Sequence, residues 1–234
     1  MTDDIFFRAE INPLQYIEGE ENIQNPHSNL SSYESFIKFL CGRELKSDIK
    51  SILKRYSEIN KEYLFVAPAE KNILNKLIWP LKYAKGSYII GNYLGTISLC
   101  GMVAEMVAIL LFEINEFKIN DKKITIDQQK KLFGSTFEGL GQERRINILR
   151  TYGVIDDEFK NYFLIIKSIR RRYLHFWSQE YETISSDSLK VFLSAVKIVV
   201  KLIGQDVRKG KLLLNPAFQK YLDNLGILKK LDGD

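Results

Sequence analysis

Between Thr96 and Ile114 the chain is apolar almost all round a helix, with Glu105 near the middle. A helix of that kind belongs either across a bilayer or at the centre of a bundle. Glu105 and the lack of a basic flank on the cytoplasmic pattern favour the bundle. Other helices must then cover this one, and the flanking sequence has the period to make them.

Ser31-Ser-Tyr-Glu34 is a capping-box pattern that opens a short helix with Phe36, Ile37, Phe39 and Leu40 on its apolar face. Glu44 to about Tyr63 fits a second helix. Pro68 begins a third, with Ile73, Leu74, Leu77 and Ile78 in step until Pro80 interrupts or restarts it. Leu81 to Ile90 is an amphipathic piece, and Asn92 to Glu116 contains the apolar stretch. Asn120 to Ile126 reads as a polar connection. Helices are expected from Asp127 to about Phe137, from Gln142 to Tyr152, after caps at Asp156 and Asp157, and from a cap within Ser185 to Ser188 up to a stop at Gly204. Asn215-Pro216 starts a last short helix that ends near Gly226. No strand-like alternation of any length and no internal repeat is present. The expected fold class is all-α, an antiparallel helix bundle with an N-terminal helical extension. Its segments are an irregular arm (1–30), the extension (31–67), the bundle (68–206) and a short helix with a tail (207–234).

With 234 residues, 45% of them hydrophobic, the chain can bury one sizeable core, and 27% charged residues argue against global disorder. Lys and Arg exceed Asp and Glu by 34 to 29, which permits nucleic-acid binding without demanding it. Cys41 and Cys100 stand far apart without metal-ligand spacing and read as small core residues in a reducing compartment. Met-Thr-Asp-Asp is acidic where a secretory signal needs positive charge. The expected setting is cytoplasmic, with no membrane partner.

One segment looks chemical: Lys167-Ser-Ile-Arg-Arg-Arg-Tyr-Leu-His175. Arginine forks grip phosphate oxygens and stabilise negative charge building on phosphorus. Imidazole is suited to moving the proton of a ribose 2′-hydroxyl. Together they suffice for attack of the 2′-oxygen on the adjacent phosphate, and no carboxylate cluster suggests a catalytic metal or other cofactor. At about 100° per residue, Arg171 lies on nearly the same helix face as His175, whereas Arg170 is about 140° away. Arg170 instead falls in the apolar stripe of Phe163, Ile166 and Tyr173. There it needs a partner, a water-filled cleft or a helix distortion that brings it beside the histidine. Glu105 is the obvious candidate partner. On residue chemistry alone Arg170 and Arg172 read as structural, His175 stays open, and Tyr162, Tyr173, Phe176 and Trp177 read as packing. His27, in a Pro-containing loop, reads as an exposed bystander.

Arg170-x4-His175 resembles the Arg-x(4–6)-His signature of the HEPN superfamily. Its place late in a helical bundle, before one more long amphipathic helix, is similar too. So is the run from Ala84-Lys-Gly-Ser-Tyr-Ile-Ile-Gly-Asn-Tyr-Leu-Gly into the apolar helix with Glu105. The resemblance covers roughly residues 68 to 206 and implies a HEPN-like four-helix core. It also implies a metal-independent endoribonuclease of toxin or antiviral-defence type, often a homodimer with motifs facing each other. A cognate antitoxin or other protein partner would accompany such a role. Carried over, Arg170 stabilises charge on the phosphate and His175 acts on the 2′-hydroxyl. Lys167, Arg171 and Arg172 would hold the RNA phosphates, with Glu105 in support. The residue after the first Arg is commonly Asn or another small polar residue in the family. Here it is Arg171, which either adds phosphate grip or marks a member tuned for binding. Non-catalytic HEPN adaptors that bind a nucleotide, an RNA or a protein are the alternative, and a helical interaction module without nucleic acid is a third.

Overall fold

The computed structural model describes residues 45–59, 70–119, 121–175, 180–204, 206–208 and 211–226. The chain divides into two compact units, Met1–Lys54 and Arg55–Asp234. Of the first, only the opening of helix α1 (Leu45–Ile59) is described. The arm, the helix expected after Ser31, His27 and Cys41 lie outside the described residues.

In the second unit the chain is an all-α helical bundle. Its core is four helices: α2 (Trp79–Ile89), α3 (Tyr93–Ile114), α6 (Asp157–His175) and α7 (Ile184–Ile203). The apolar helix α3 packs most extensively on α7 and α2, and also on α6. This explains why its sequence has no polar face: Ile97, Val103, Val107 and Leu111 are buried together with Cys100, Ala104 and Ala108. By length and composition it could also cross a bilayer, the one helix among the described residues of which that is true. Asn92 caps α3, its side chain accepting from the Gly95 amide at 2.9 Å.

Pro80 does not break the helical run before α2. A short turn (Lys71–Ile73) passes into a π-helical turn (Leu74–Ile78) and then straight into α2, with Pro80 in its first turn. A proline lacks the amide and crowds the carbonyl one turn back, and the wider π turn absorbs both defects without a loop. Among the described residues two minimal hairpins interrupt the helices. Strands β1 (Lys118–Ile119) and β2 (Lys122–Lys123) stand where the sequence suggested only a polar connection, and β3 (Asp206–Arg208) pairs with β4 (Lys211–Leu213) beyond α7. Strands of two or three residues are too short to write an alternation into the sequence.

Between them, α4 (Ile126–Phe133) begins with a capping box at Thr125 and Gln128. It stops earlier than expected because Gly134 takes a left-handed φ of 74°. Helix α5 (Gln142–Thr151) follows a 3₁₀ turn (Phe137–Gly139), and α8 (Pro216–Asn224) starts at the Asn215 cap, as the Asn-Pro pair suggested.

Candidate functional site

Helix α6 carries the whole candidate segment. Asp156 starts it, Oδ1 accepting from the Phe159 amide at 2.6 Å, and Phe159, Phe163, Ile166, Ile169 and Tyr173 bury one side against the bundle. The helix is α-helical throughout from Asp157 to His175, so no π turn brings Arg170 round to the histidine.

Arg170 occupies a core-facing position and is accommodated by α3. Its Cδ passes so near Gly101 that a Cβ there would lie 2.6 Å away. One turn further along α3, Glu105 accepts a hydrogen bond from Arg170 Nη1. The two side chains keep about a third of their surface, 32% and 30%. The pair expected as one of three alternatives therefore exists, yet it is open to solvent rather than sealed. Arg170 Nε is buried and has no hydrogen-bond partner among the described residues.

Glu105 also lines a cleft of about 600 Å³. One wall comes from the helical turns before α2, with Ile73, Lys76 and Leu77, and another from Met106 and Ile109 of α3. Arg145 of α5 is buried at its edge, donating to the carbonyl oxygens of Phe137 and Glu138 at 3.2 and 2.7 Å.

The other candidate cations have separate partners. Lys167 is ion-paired with Glu143 of α5. Lys167, with Arg171 adding its charge, holds the Glu143 carboxyl below the usual carboxylate range. Arg172 donates to Asp187 Oδ2 of α7 at 2.9 Å, and the Tyr173 hydroxyl donates to the same oxygen at 2.7 Å. The side chain of Thr183, the residue before α7, bonds to no backbone amide of that helix. Its hydroxyl lies 2.8 Å from the Tyr173 hydroxyl and 3.3 Å from Asp187 Oδ2. The start of α7 is thus tied to the end of α6, and the cap expected within Ser185 to Ser188 is displaced to Thr183.

His175 is the last residue of α6 and is exposed. Leu164, Ser168, Arg171 and His175, spaced by four, three and four residues, are all exposed and form one stripe along the helix. The structure thus groups Arg171 with His175, and Arg170 with Glu105, while Lys167 and Arg172 contact carboxylates. Phe176 and Trp177 lie outside the described residues.

The chain matches no family model, no curated protein and no solved structure.

Sequence reasoning missed Gly101, Glu143 and Asp187. Gly101 had a signal: a glycine inside a helix costs about 1 kcal/mol relative to alanine, so one retained four residues before a lone core carboxylate marks a close approach. Asp187 had none, because in Ser-Ser-Asp-Ser it is indistinguishable from a capping residue. Chemically, the outer stripe of α6 offers a guanidinium and an imidazole one turn apart in water. The inner face offers a guanidinium already hydrogen-bonded to a carboxylate.

Proposed function

We propose that this protein is a metal-independent endoribonuclease of the HEPN type. The observation that carries the reading is the exposed placement of Arg171 and His175 on one face of α6, beside the anchored Arg170. In the reaction, the His175 imidazole takes the proton of a ribose 2′-hydroxyl. The 2′-oxygen attacks the neighbouring phosphorus, and the P–O5′ bond breaks. The 5′-oxygen takes a proton from water as it leaves, which gives a 2′,3′-cyclic phosphate and a 5′-hydroxyl. The arginines stabilise charge on the non-bridging oxygens. By resemblance that duty falls to Arg170, and by helix geometry Arg171 is the arginine on the histidine's own face.

Incubation of the purified protein with total RNA in EDTA tests the mechanism. Fragments ending in 2′,3′-cyclic phosphate are expected. Loss of cleavage in EDTA, restored by Mg²⁺ or Mn²⁺, overturns it.

The proposed working form is a homodimer joined along the outer stripe of α6. In one copy the site has one histidine and a few arginines, which is small for a polyanion. Two-fold symmetry doubles the positive charge and supplies a second imidazole. Leu164, 38% exposed, gives the stripe an apolar contact point. Light scattering at micromolar concentration should give twice the 27.2 kDa of the chain. A monomer that still cleaves RNA removes the paired site from the mechanism.

The Arg170–Glu105 pair favours a second reading, a non-catalytic HEPN adaptor that binds a nucleotide, an RNA or a protein partner. Under that reading the wild-type protein and His175→Ala behave alike in the EDTA assay.

A further inference from the structure

Helix α2 carries large aromatic rings in water. Trp79 is 40% exposed and Tyr83, one turn later, 62% exposed, and the two rings stack with centroids 6.5 Å apart. Lys82 Nζ stands 4.7 Å above the Trp79 ring. Neither Lys82 nor Lys76, in the π turn just before, is ion-paired among the described residues. A cation over an indole steadies the ring but leaves the charge unneutralised. Stacked rings beside uncompensated lysines suit a chain that alternates flat faces with negative charges, which is single-stranded nucleic acid. Duplexes hide their base faces and fit such a surface poorly.

The position of Lys76 links this surface to the Arg170–Glu105 pair. Lys76 lines the same cleft as Glu105, and Glu105 holds Arg170. A polymer stacked on Tyr83 and Trp79 and held by Lys76 would therefore reach the cleft that Glu105 lines.

We propose that Trp79 and Tyr83, with Lys76 and Lys82, form a stacking platform for single-stranded RNA that leads into the Glu105 cleft. The choice of RNA as the polymer rests on the ribonuclease reading.

The test is fluorescence anisotropy of a labelled 2′-O-methyl oligouridylate, which cannot be cleaved, so the readout does not depend on catalysis. Trp79→Ala/Tyr83→Ala should weaken binding by about tenfold or more for each ring lost. Lys76→Gln/Lys82→Gln should weaken it and flatten the log-log salt dependence by about 1.4, at about 0.7 for each phosphate contact. Both pairs are surface changes, and circular dichroism with thermal melting confirms that the fold is kept. Wild-type affinity in the aromatic variant overturns the platform even if the protein cleaves RNA. So does an absence of oligouridylate binding by the wild type, or equal binding of a duplex. Binding to phosphatidylserine vesicles that the same substitutions abolish, with none to RNA, overturns it in favour of a membrane surface. Loss of oligouridylate binding in the aromatic variant sustains the platform even if no RNA is cleaved and the ribonuclease reading fails.

Discussion

His175→Ala is expected to lower RNA cleavage by about 10²–10⁴-fold, the usual contribution of a positioned general acid–base group. The fold should be untouched. His175 is exposed at the last position of α6, and that turn is held by Arg172 and Tyr173 on Asp187, not by the imidazole. Surface truncations of this kind change stability by about 0.5 kcal/mol or less. Initial rates on a defined RNA in EDTA, with thermal melts of both proteins, check the two halves together. An unchanged rate takes His175 out of the mechanism. A rate that falls only in step with a collapsed melting temperature assigns the residue to the fold. Asp187→Ala is the useful companion, because it should loosen the helix end without removing either reacting group.

Among the described residues, helix existence was legible where a cap or stop coincided with a sustained apolar period. Asp156, Gly204 and the Asn215-Pro216 pair all mark helix boundaries in the structure. The centrality of α3 followed from its having no polar face. The joint before α2 was not legible, because a proline after helical residues reads the same whether the chain turns or widens into a π turn. At the site, the sequence suggested Glu105 as partner to Arg170 through a simple scarcity argument: one charge near the middle of the core helix and one arginine in a core-facing stripe. The separation of roles within Arg170-Arg-Arg172 followed only in part. Adjacent residues on a helix point about 100° apart, so three arginines in a row must meet three environments. One meets Glu105 and one meets Asp187, while Arg171 keeps the outer face with His175. Which carboxylate takes which arginine depends on packing between helices distant in sequence, and no local pattern encodes that.

Arg170→Ala is expected to show the second large effect, on rate and on stability at once. If its guanidinium stabilises the phosphate, the rate should fall by about 10²–10³-fold, as for loss of one preorganised donor. The melt should register a loss of about 1–3 kcal/mol. Removing one partner of a fully buried pair costs about 3–5 kcal/mol and an exposed pair at most about 1, and this pair keeps a third of its surface. Glu105→Ala and the double variant complete the cycle. A coupling of about 0.5–3 kcal/mol is expected for groups in direct contact, and strict additivity means that the pair contributes nothing. Gly101→Ala separates the two roles of Arg170. Alanine gains about 1 kcal/mol of helix propensity over glycine, but its Cβ would meet Arg170 Cδ at 2.6 Å, so the arginine must leave its place beside Glu105. The expected result is a protein less destabilised than Arg170→Ala, yet with cleavage reduced nearly as far. Gly101→Ala with full activity, in the face of a lost Arg170–Glu105 coupling, would make the pair a structural clamp and leave Arg171 as the arginine that serves His175.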